Sequence, residues 1–162
     1  MRQILIVLAL LASPVAARPM HVIAVHDGDT LTVEGQWAVM QGRKVALRIP
    51  GGVNIRLLAS HGGIDTPEIG AKARCEAENA AAVKARDNLK TMIAANGGTV
   101  EIGDVHHDKY GGRLLANPTV KAGSLGDAQI AGGFAVAYDG TGPRHVWCAG
   151  EPENLLPERT AP

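Results

Sequence analysis

The sequence predicts a single α+β domain, mainly β, folded as a small, partly open barrel with helices packed against it. Three observations carry that expectation. Short runs of alternating apolar and polar residues come first, one long stretch of helical periodicity follows, and more short runs and a second short helical stretch close the pattern. Glycine and proline divide these runs at short intervals. The chain of 162 residues suits one domain, and 46% hydrophobic with 20% charged residues suits a packed core.

His21–Val33 alternates around Asp27-Gly28-Asp29, which reads as strand, turn, strand. Lys44–Ile49 and Val53–Leu58 are two more β-like runs, divided by the turn Pro50-Gly51-Gly52. Gly62-Gly63 marks a loop that leads into Ile64-Asp65-Thr66-Pro67-Glu68. From Glu76 to Ala95 the period becomes helical: Ala82, Ala85, Leu89, Met92 and Ile93 share one face at steps of three and four. Asn96-Gly97-Gly98 ends that helix, because these residues tolerate left-handed cap geometry. Thr99–Ile102 and Arg113–Ala116 read as strands, and Leu125–Ala131 as a short helix stopped by Gly132-Gly133. The enlarged segment between Gln36 and Asn54 suggests no role by itself.

Both ends carry other signals. Arg2, the apolar run Ile4–Leu11 and the small-residue end Val15-Ala16-Ala17 form an export signal over residues 1–17, cleaved after Ala17. The run is too short for an ordinary membrane-spanning helix. A periplasmic or secreted protein is therefore expected, with no membrane association beyond the cleaved signal. The domain occupies 18–148, and 149–162, with Pro152, Pro157 and Pro162, reads as a flexible tail. In an oxidising compartment the lone pair Cys75 and Cys148 reads as one disulfide, worth roughly 4 kcal/mol on the chain-entropy model, with two buried free thiols as the alternative.

Composition limits the function. Aromatic residues make up 3%, too few for a row of rings that stacks single-stranded bases. Lysine plus arginine equals aspartate plus glutamate at 16 each, so nucleic acid could be held only by a local basic site. Asp27 and Asp29 stand two apart, suited to a hard cation if extended and to an Asx turn otherwise. Asp65-Thr66-Pro67-Glu68 adds two carboxylates around a stiff proline, or caps a helix with Thr66. Arg56, Lys109 and Arg113 could meet a phosphate, arginine by its planar fork, or could be solvated surface charges. The histidines show no ligand spacing; His106 and His107, adjacent on a strand, would face opposite sides.

In their order these pieces resemble the staphylococcal-nuclease-like, or thermonuclease, family. The resemblance runs through Val25-His26-Asp27-Gly28-Asp29-Thr30-Leu31, Ile55-Arg56-Leu57-Leu58 and Gly63-Ile64-Asp65-Thr66-Pro67-Glu68. It continues with Cys75, Glu78, Asp108-Lys109-Tyr110-Gly111 before an arginine, Gly133-Phe134-Ala135 to Tyr138, and Trp147-Cys148. It implies an OB-fold five-stranded barrel with two to three packed helices, and a Ca²⁺-dependent phosphodiesterase acting on DNA or RNA as a monomer.

Carried over, Asp29 and Asp65 bind Ca²⁺ by carboxylate and Thr66 by its carbonyl, with Asp27 supporting the metal from behind. Glu68 takes a proton from, or orients, the attacking water. Arg56 and Arg113 bind phosphate and stabilise charge in the transition state, and Lys109, Tyr110 and Tyr138 meet substrate. Eight residues separate Arg56 from Asp65, more than the family's usual spacing, and a looped-out Ala59-Ser60-His61-Gly62 would keep Arg56 in the site. Gly111-Gly112 is expected to form a bulge that restores the aim of Arg113. The alternative is a catalytically impaired OB-fold module that binds nucleic acid or a protein partner.

Overall fold

Valine, isoleucine and leucine at alternate positions build strands with one inward face. In β5 (Val53–Ala59) Val53, Ile55, Leu57 and Ala59 are buried, while Arg56 between them stays half-buried on the other side. The computed structural model describes residues 18–34, 38–40, 43–45, 51–108 and 113–148. The export signal 1–17, the tail 149–162, Lys109, Tyr110, the Gly111-Gly112 pair, 46–49 of the expected Lys44–Ile49 strand and Pro50 of the turn after it lie outside these residues.

β1 (Arg18–Val25) and β2 (Thr30–Val33) flank the turn at Asp27-Gly28-Asp29, as the alternation predicts. β3 (Ala38–Met40) and β4 (Arg43–Val45) form a separate antiparallel pair within the enlarged segment, β4 overlapping the start of the expected Lys44–Ile49 run. β5 is followed by β6 (Gly62–Asp65), then by α1 (Glu76–Ala95), β7 (Thr99–His107) and β8 (Leu114–Val120). β9 (Gly123–Ser124), α2 (Leu125–Ala131) and β10 (Val136–Ala137) complete the order.

β1 pairs with β2 and β7, β2 with β5, and β7 with β8, all antiparallel; β5 and β8 pair in parallel. Five strands thus close a ring in the order β1-β2-β5-β8-β7. Its interior holds Leu31, Val33, Ile55, Leu57, Val100 and Ile102, and Leu89 and Ile93 of α1 and Leu125 of α2 belong to the same core. The class is α+β, mainly β, as expected.

α1 begins and ends where its periodicity predicts. Cys75 caps its N-terminus, its sulfur accepting from Glu78 N at 3.3 Å, and Ala82, Ala85, Leu89 and Ile93 face the core. β1, β7 and β8 run longer than predicted: β1 starts at Arg18, and β7 continues to His107 and β8 to Val120, because β7 pairs with both β1 and β8 and Val120 pairs with Gly123 of β9.

One expectation is corrected. Gly62-Gly63 is not a loop, and Ala59 to Gly62 do not loop out. Ala59 pairs with Gly62 and Leu58 with Gly63 as a hairpin whose tip is Ser60-His61. The hairpin sets Leu58 opposite Gly63 and Ala59 opposite Gly62, so β5 and β6 stay paired up to the two-residue tip.

Candidate functional site

The turn between β1 and β2 holds its own geometry. Asp29 N donates to Asp27 Oδ1 at 3.0 Å, so Asp27 serves as the Asx-turn acceptor. The Thr30 hydroxyl donates to Asp29 Oδ1 at 2.7 Å. Register then brings an arginine alongside: Thr30 is paired with Arg56 across β2 and β5, and Arg56 Nη2 lies 3.2 Å from Asp29 Oδ2. Asp29 is only 5% exposed. Burial first, and the charge of Asp27 second, push its carboxyl up to about 6, against the pull of Arg56.

Gly28 lets this turn lie against the second acidic segment. A Cβ there would sit 2.8 Å from Ala85 Cβ and 3.0 Å from Thr66 Cγ2, so only glycine fits between α1 and Thr66. Gln129 of α2, fully buried, donates from Nε2 to the carbonyls of Gly28 at 2.7 Å and Ala85 at 2.9 Å. Its Oε1 accepts from Asn88 at 2.8 Å.

Asp65 ends β6 and is fully buried, with Thr66 and Pro67 buried after it. Thr66 does not cap a helix; residues 66–69 are irregular and a single 3₁₀ turn follows at Gly70–Lys72. The segment is secured by Glu78 of α1, whose carboxylate accepts from Glu68 N at 3.2 Å and Arg74 N at 2.6 Å. Glu68 itself is half-buried, its carboxylate turned to another partner.

That partner is Arg144, which the sequence reading did not single out. Arg144 Nε donates to Asp65 Oδ1 at 2.7 Å and Nη2 to the Thr66 carbonyl at 3.2 Å, while Nη1 pairs with Glu68 Oε1. Burial works against the Arg144 charge, but the hydrogen bonds and charges of Glu68 and Asp65 outweigh it, and the net shift of its pKa is upward. The segment that carries it is fastened at both ends. Tyr138 N donates to Gly63 O at 2.9 Å, and Cys148 is disulfide-bonded to Cys75 with Cα atoms 6.1 Å apart. The disulfide is the one expected. It was also the available signal for Arg144: Cys75 follows the acidic segment closely and Arg144 lies four residues before Cys148, so the bridge draws the two segments together.

Beside these groups opens a cavity of about 450 Å³, walled by Arg56, Arg113, Arg144, Leu57, Ile64 and Tyr138. Arg113 reaches the wall with its Nε bonded to Asp108, rather than to Asp29, Asp65 or Glu68. The Tyr138 hydroxyl donates to Gly142 O at 3.0 Å. Lys109 and Tyr110 lie outside the described residues.

The donor chemistry fits a hard cation: two buried carboxylates and a carbonyl, all oxygen. Asp65 Oδ2 is buried without a hydrogen-bond partner, a lone pair that a cation would satisfy. Asp65 Oδ1 and the Thr66 carbonyl, however, are held by the Arg144 guanidinium. Among the described residues no group of three or more His, Cys, Asp or Glu side chains is arranged to hold a metal ion. Compared with known protein families and with curated proteins, the chain matches none.

Proposed function

We propose that the chain is an exported, calcium-dependent nuclease of the staphylococcal-nuclease-like type, hydrolysing phosphodiester bonds of DNA or RNA. One observation carries the reading. Asp29 is paired with Arg56, and Asp65, the Thr66 carbonyl and Glu68 are held by Arg144, and both arginines wall one cavity. The ring order with its single parallel pair supports an OB-fold, a five-stranded Greek-key barrel. The disulfide supports an oxidising compartment, periplasmic or secreted. Among the described residues no helix is long and apolar enough to cross a membrane.

In this reading Asp29, Asp65 and the Thr66 carbonyl would hold Ca²⁺, which supplies positive charge to a phosphodiester as it gains negative charge. Arg56, already at the cavity wall, would turn its fork toward a non-bridging phosphate oxygen. Glu68 would take the proton of the attacking water, a role open to its half-buried carboxylate once Arg144 releases it. Asp27 keeps the turn in shape, and Tyr138 offers a wall for the sugar or base. The test is plasmid DNA and RNA degradation with Ca²⁺ against the same reaction with chelator. Degradation that continues in chelator, or survives Asp29→Ala with Asp65→Ala, would defeat the reading.

A second reading has its own support. Arg144 occupies Asp65 and Glu68, and Asp108 occupies Arg113, as suits a catalytically impaired module that binds nucleic acid or a protein. Retention of DNA on the protein without cleavage in saturating Ca²⁺ would favour it.

A further inference from the structure

The segment from Tyr138 to Cys148 brings one guanidinium onto three groups at once: the carboxylates of Asp65 and Glu68 and the Thr66 carbonyl. Resting on the calcium-nuclease reading, we propose that Arg144 is a tethered competitor for the cation, closing the acidic site until a divalent cation displaces it. Two of its acceptors, Asp65 Oδ1 and the Thr66 carbonyl, belong to the groups that would hold the metal, and the third is the carboxylate that would take the proton of water. Guanidinium and cation therefore cannot both be satisfied there.

Three features make the contact reversible. The Arg144 side chain is 34% exposed, so it is not locked in the core. It also lines the cavity, which gives it room to withdraw without unfolding its segment. Asp65 Oδ2 is buried without a hydrogen-bond partner, a lone pair that the guanidinium leaves unsatisfied and that favours exchange for a cation. One positive charge set against two carboxylates leaves a net negative charge, which a divalent ion neutralises more fully.

The tether sets the strength of the competition. Cys148 is bridged to Cys75 and lies four residues beyond Arg144, a stretch that spans at most about 14 Å when extended. A displaced Arg144 thus stays within reach, at high effective concentration. The observed calcium affinity is then the affinity of the open site scaled by the fraction of molecules that are open.

The test is calcium binding by calorimetry, with Ca²⁺ alone, to the disulfide-bonded wild type and to Arg144→Ala. The variant is expected to bind roughly tenfold tighter or more. Equal or weaker binding by a folded variant would overturn the proposal while leaving the calcium site standing. Binding by neither protein would overturn the calcium site and the proposal together. A second measurement needs no variant: the ¹⁵N-detected Nε–H signal of Arg144 in the wild type should move toward that of a free arginine as Ca²⁺ is added. A signal unmoved at saturating Ca²⁺ would overturn the proposal.

Discussion

Gln129 donates to the carbonyl of Gly28 at 2.7 Å, across 101 residues of chain, and so ties α2 to the turn that carries Asp29. A fully buried amide, on the face of a helix remote from the acidic segments in sequence, thereby sets where an acidic residue sits.

Gln129→Leu should therefore cost stability as well as site geometry. It leaves the Gly28 and Ala85 carbonyls without this donor, at about 1–3 kcal/mol for an unsatisfied buried group. Urea unfolding should show a lower midpoint with an unchanged slope. An unchanged midpoint would mean that water replaces the amide without loss.

Stability of the metal-free protein should fall as pH rises from about 4 to about 6. The folded Asp29 carboxyl is held near 6, above its ordinary value of 3.8, by burial and by Asp27. Between those values the folded state binds more protons than the unfolded one, so stability present below 3.8 is lost as pH passes through 6. The effect is on the order of 3 kcal/mol, and Asp29→Asn should remove it from unfolding curves taken in chelator. A wild-type curve as flat as that of the variant would mean that Asp29 is charged at little cost.

Arg113→Ala should lower kcat and kcat/KM together by roughly 10²-fold if its guanidinium leaves Asp108 to meet developing charge on the phosphate. Lys109→Ala should change little beyond salt dependence. Full activity of Arg113→Ala would assign Arg113 to its pairing with Asp108 alone.

The Cys75–Cys148 bridge should leave no thiol to label. Alkylation without reductant should add no mass to the exported protein. Replacing both cysteines by serine should cost about 2–5 kcal/mol, since the bridge closes 73 residues of chain. A double variant as stable as the wild type would mean that the acidic segment and the Arg144 segment are held without it.

Much of the architecture was legible because it is local. The helical period of Glu76–Ala95, its Asn96-Gly97-Gly98 end, and the short helix Leu125–Ala131 depend on neighbours three and four residues away. The strand at Gly62–Asp65 was not legible: two glycines have no side-chain period, and what makes them extended is pairing with Leu58 and Ala59 and, for Gly63, with Tyr138. The hairpin within the enlarged segment was anticipated only at Lys44-Val45 of its second strand. Its short strands, Ala38–Met40 and Arg43–Val45, are too brief to show alternation.

By itself the sequence determined the α+β class, both helices, the Asp27-Gly28-Asp29 turn and the acidic residues around it. These follow from spacing and side-chain type, which act over a few residues. Only the tertiary structure decided which charges meet. Arg56 reaches Asp29 through the register of β2 and β5, Arg113 meets Asp108, and Arg144 crosses 79 residues to Asp65. An arginine finds its carboxylate through packing and chain closure, not through its neighbours in sequence. For Arg144 the deciding constraint is the covalent bridge at Cys148, which holds its segment over the buried Asp65 and the half-buried Glu68.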